Sequence, residues 1–83
     1  MFRKLLETDE LDVDGQTFVV HYFELRTARG ARSYSGEVVV DAGDRIILDD
    51  DSLTSLQAKI ARLAPATIYS RRLALKMLRP VAA

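Results

Sequence analysis

With 83 residues, 48% of them apolar and 29% charged, the chain has material for one hydrophobic core, and is too short for two domains and too apolar for a disordered segment. Cysteine is absent, which removes disulfides, thiolate metal sites and a cysteine nucleophile and suits a reducing compartment. The formal net charge is +0, so long-range attraction to phosphate is weak.

Residues 1–9 hold Phe2, Leu5 and Leu6, which fit a short helix or an extended segment equally well, and Glu7 and Asp9, where a signal peptide would need its apolar core. No run approaches the roughly 18 apolar residues of a membrane span. The expectation is an intracellular, cytoplasmic protein with no membrane partner.

A first strand is expected at about 10–13, where Leu11 and Val13 alternate with Glu10, Asp12 and Asp14. Asp14-Gly15 is a strong two-residue hairpin signal, because a type I′ turn needs positive φ at both central positions. The return strand, about 17–27, carries Phe18, Val19, Val20, His21, Tyr22, Phe23 and Leu25. It is apolar on both faces near its start, as a central strand should be. Gly30 supplies the next turn.

A third strand over 32–41 sets Tyr34, Gly36, Val38 and Val40 on one face against Ser33, Ser35, Glu37 and Val39 on the other. Gly36 is a candidate bulge. Ala42, Gly43 and Asp44 turn the chain into a fourth strand, 45–49. Short connections place sequential strands side by side, so the sheet is expected as an antiparallel meander.

Two helices follow. Over 52–64, Leu53, Leu56, Ile60 and Leu63 recur at helical spacing, with Asp51 or Ser52 as N-cap and Pro65 as the stop. Over 67–79, Ile68, Tyr69, Leu73, Leu75, Met77 and Leu78 give a wider apolar face, with Thr67 as the cap and Pro80 as the stop. The expected fold is α+β, a single domain over 1–83 in which a meander of three to four strands is covered on one face by two C-terminal helices.

Candidate chemistry is sparse. Glu10, Asp12, Asp14 and Gly15 imitate the start of a calcium loop, but its twelfth position would be His21, not a bidentate Glu, and the flank is strand-like where a helix is required. Asp41, Asp44, Asp49, Asp50 and Asp51 would hold a hard cation only if they gathered at one end of the sheet, and helix capping and turn formation explain them more simply. His21, the sole histidine, lacks the further nitrogen or sulfur ligands that a metal site draws on. No nucleophile elbow surrounds any serine, and Gly30, Gly36 and Gly43 are too far apart for a phosphate loop. No enzyme, cofactor or metal is expected.

Charge is distributed unevenly. Residues 52–83 carry Lys59, Arg62, Arg71, Arg72, Lys76 and Arg79 and no acidic side chain. Such a tail either lies against acidic turns or faces an external anion. A small core without disulfides is commonly completed by oligomerisation. The expected function is therefore a non-catalytic protein-interaction or assembly module that pairs with itself as a homodimer, with Leu73, Leu75, Met77 and Leu78 as contact surface. The alternative is a nucleic-acid-binding regulator. It would use Arg26, Arg29, Arg32 and Tyr34 on the second hairpin together with Arg71, Arg72, Lys76 and Arg79 on the last helix.

Overall fold

The computed structural model describes residues 2–78, with side chains as far as residue 74; Arg79, Pro80 and the side chains of Leu75, Lys76, Met77 and Leu78 lie outside what is described. The chain forms β1 (Phe2–Val13), β2 (Gln16–Arg26), β3 (Arg32–Asp41), β4 (Asp44–Asp50) and a single helix, α1 (Leu53–Leu78). The strands pair antiparallel in the order β1-β2-β3-β4, the expected meander. Asp14 and Gly15 both take positive φ, 52° and 79°, as the type I′ signal requires. Gly30 does the same at 82°.

Three expectations are corrected. The first strand begins at Phe2 instead of near residue 10. Because β2 runs for 11 residues, its backbone donors and acceptors need a partner along their whole length, and the undecided segment supplies it. Phe2 pairs with Arg26 and Val13 with Gln16, with one irregularity between Leu5 and Glu7.

The second correction concerns the helices, which are one. Pro65 lies inside α1, and Thr67, instead of capping a second helix, donates its hydroxyl to the Leu63 carbonyl at 3.0 Å. Leu56, Ile60, Ala64 and Ile68 are all at most 1% exposed and fall four residues apart on either side of the proline. The sheet therefore acts as a template for both halves, and their burial outweighs the roughly 3 kcal/mol by which proline disfavours a helix interior. The same spacing moves the buried face off Leu63, which is exposed. Ala64 takes the place expected of it, being too small to register strongly in a hydrophobic period. Ser52 is the N-cap: its carbonyl accepts from Leu56 N–H at 2.9 Å and its hydroxyl from Ser55 N–H at 3.4 Å.

The third correction is at Gly36. The ladder runs through it without a bulge, and the register shift in β3 falls between Val39 and Asp41. Gly36 is needed for a different reason. A Cβ there would collide with the Cδ1 of Ile60 and touch the Tyr22 ring, so the missing side chain lets α1 seat on the sheet.

One face of the sheet and α1 enclose the core. Val13, Phe18, Val20, Tyr22, Val38 and Ile46 meet Leu56, Ile60, Ala64 and Ile68. The helix backbone approaches β3 and β4. It is fixed at both ends of β4. Lys59 pairs with Asp50 at 3.2 Å and donates to the Asp49 carbonyl at 2.6 Å, while Arg71 pairs with Asp44. The basic tail thus lies, in part, against acidic turns of its own chain. No helix among the described residues is long and apolar enough to cross a membrane.

Candidate interaction face

Strand alternation sends every second side chain away from α1, and the register arranges these in rows across the sheet. Glu10, Val19, Val39 and Arg45 form one row; Thr8, His21, Glu37 and Ile47 the next; Leu5, Phe23, Ser35 and Asp49 the third. No element of the described chain covers this face. Its apolar members remain accessible: Val19 is 39% exposed, Ile47 58% and Leu5 52%.

Glu37 lies at the centre of that face and is only 7% exposed. Its carboxylate is held by two guanidinium groups, Arg3 at 3.2 Å and Arg45 at 3.5 Å. Arg3 reaches it across the Phe23 ring, 3.8 Å from the centroid, a cation–π contact that covers the aromatic. A carboxylate partly removed from water needs such partners. Beside it His21 is directly cross-strand to Glu37 and shares a 3.1 Å hydrogen bond between its Nδ1 and the Thr8 hydroxyl. The result is a charge-satisfied centre with aliphatic side chains around it.

On the other side of the sheet, a groove of about 330 Å³ runs between α1 and β1 and is lined by Asp9, Leu11, Tyr22, Gln57 and Ala61. Gln57 donates to the Glu7 carboxylate at 2.6 Å. Burial, and then the negative charges of Asp9 and Glu7, push the Tyr22 phenol above its usual pKa. At the start of the helix, the hydrogen bond and charge of Lys59 hold the Asp50 carboxyl below its usual range. On α1, Tyr69 and Leu73, one turn apart, face away from the sheet, 61% and 46% exposed, and Leu63, 40% exposed, borders the buried face.

The expected nucleic-acid contacts are scattered. Arg26 binds Glu24 at 2.7 Å and Arg32 approaches the same carboxylate at 3.9 Å. Arg71 pairs with Asp44, and Arg72 donates to Gln16 and lies over the Phe18 ring. Tyr34 packs against the core. Arg29 is exposed in the turn after β2. That turn and the Arg71–Arg72 pair lie at opposite ends of the sheet, in a molecule 57 Å long. Lys76 and Arg79 fall outside the described side chains. Of the expected partner contacts, Leu73 is exposed and Leu75, Met77 and Leu78 fall outside as well.

The aspartates are divided too. Asp41 and Asp44 flank one end of β4 and Asp49, Asp50 and Asp51 the other. Among the described residues no group of three or more potential ligands converges.

Arg3 and Glu37 were not singled out from the sequence. Arg3 lies in the segment left undecided, and Glu37 becomes central only once register puts it beside His21. One signal did point to this face: the doubly apolar start of β2, with Val19 and Val20 in succession, implies cover on both sides. No family model, curated protein or solved structure matches the chain.

Proposed function

We propose that this chain is a non-catalytic protein-interaction module that associates with a second copy of itself. The observation that carries this is the single helical layer. α1 covers one face of a four-stranded sheet and leaves Val19, Ile47 and Leu5 exposed and Val39 half-buried on the other. Exposed aliphatic groups on an uncovered face mark interaction surfaces, and Tyr69 and Leu73, exposed one turn apart on α1, add a smaller apolar patch. The alternative, a nucleic-acid-binding regulator, would use Arg26, Arg29, Arg32, Arg71 and Arg72, of which Arg29 is exposed in the turn after β2. Self-association is favoured over it because Arg26, Arg32, Arg71 and Arg72 already have partners within the chain, and phosphate contacts would have to displace them.

Size-exclusion chromatography with light scattering, over a hundredfold range of concentration, tests the proposal. The expected result is a mass that rises to twice 9.3 kDa. A chain that stays monomeric throughout overturns it. Repeating the run with short duplex and single-stranded DNA at low salt tests the alternative, since phosphate binding is strongest there.

A further inference from the structure

We infer that the second copy docks sheet against sheet, the two uncovered faces opposed about a two-fold axis that runs along the strands between β2 and β3. The assignment rests on the self-association proposed above and names its surface. It follows from the sign and position of the charges at the four corners of the face. β1 contributes Glu10 near the β1–β2 turn and Arg3 near the opposite end; β4 contributes Arg45 near the β3–β4 turn and Asp49 near the opposite end. Rotation about an axis along the strands lays β1 over the partner's β4 and β2 over the partner's β3. Glu10 then faces Arg45 of the second copy, and Arg3 faces the acidic end that holds Asp49.

The middle of the face obeys the same operation. Val19 and Val39 share a row, so each meets the other's counterpart and the aliphatic pair is buried twice. In the next row His21 falls opposite Glu37 of the second copy. Aligned sheets stack about 10 Å apart and cross at about 30°, which places long corner side chains within reach of one another. Glu37 is already paired with Arg3 and Arg45 inside its own chain, so covering it strands no lone charge. Charges at the rim of an interface choose orientation more than they add affinity. A two-fold axis across the strands also opposes unlike corners, Arg3 to Glu10 and Arg45 to Asp49. When that axis passes through the His21 row, however, it sets Glu37 against Glu37.

Charge exchange separates the two arrangements. The self-dissociation constant is measured by analytical ultracentrifugation at moderate salt for the wild type, Glu10→Arg, Arg45→Glu and the double variant, with circular dichroism melts to verify folding. Each single variant places two like-charged contacts in the dimer and is expected to weaken it about tenfold. Arg45→Glu also takes one guanidinium away from Glu37, so the double variant stays weaker than wild type but is expected to associate several-fold more tightly than Arg45→Glu alone, because the opposition to residue 10 is restored. A double variant no tighter than Arg45→Glu alone overturns the axis along the strands. Ile47→Lys, at a side chain already exposed in the monomer, is expected to abolish association without lowering the monomer's melting temperature. If the wild type associates and Ile47→Lys does not weaken it, the sheet face is wrong and self-association stands. If the wild type does not associate, both fall.

Discussion

Replacing Pro65 with alanine tests the claim that the sheet holds α1 together across a residue that would otherwise end it. Proline removes one hydrogen bond, from residue 65 to the carbonyl of Ala61, and its ring crowds that carbonyl. Proline in a helix interior is about 3 kcal/mol worse than alanine. Two effects reduce the gain. Ala61 is exposed, a setting in which solvent can replace the missing donor, and a restored bond contributes only about 1 kcal/mol. Alanine also frees the unfolded chain, at a cost of about 0.4–1 kcal/mol. The net expectation for Pro65→Ala is stabilisation by about 1–2 kcal/mol. In a domain of this size that is a rise in melting temperature of about 5–15 °C. Thermal and urea unfolding of both chains at one fixed concentration measures it, since association would otherwise move the midpoint. A variant less stable than wild type would refute the reasoning. It would mean that the helix needs the geometry imposed by proline in order to follow the sheet.

Gly36→Ala should destabilise by about 1–3 kcal/mol, because Ile60 is sealed in the core and has to move aside for the new methyl. Shortening the obstructing side chain in Gly36→Ala/Ile60→Val should recover part of that loss, and additive losses in the double variant would disprove the contact. Asp50 titrates below the usual carboxylate range because of Lys59. Its contribution to stability is therefore present above the unfolded carboxylate pKa and is lost as pH falls through the lower folded value. In Lys59→Met, carbon-detected NMR should show the Asp50 carboxyl moving back up. The Tyr22 phenol is raised, so its contribution persists below the ordinary tyrosine value and disappears as pH rises through the folded one. An absorbance titration of Asp9→Asn should find it lower than in the wild type, and an unchanged value would remove Asp9 as a cause.

Much of the sheet was legible because its signals are local. Asp14-Gly15 and Gly30 mark turns through backbone conformation alone. The alternation of β3 divided Val38 and Val40 from Glu37 and Val39 correctly, since strand period is a property of successive residues. The helix was misread where a strong local rule met a tertiary one. Proline disfavours a helix wherever it stands, but the burial that retains it depends on Val38, Ile46 and Tyr22, distant in sequence from Pro65. The uncovered face was legible in kind and not in position. Val19 beside Val20 showed that both sides of β2 are apolar, but only the register joins Arg3, Glu37 and Arg45 into one cluster from three strands.

β1 and β4 are the two outer strands and each pairs along one edge only, but α1 closes over β3 and β4 and is fastened to both ends of β4. Resistance to opening is therefore graded across the sheet. Amide protons of β1 are expected to exchange with solvent before those of β3, and a protease would meet β1 as a cleavable segment while the helix and its two strands are still closed. Loss of β1 uncovers the edge of β2 and the Tyr22 side of the groove in a single event. The strand that supplies Arg3 and Glu10 to the uncovered face is thus also the one whose detachment would erase that face first.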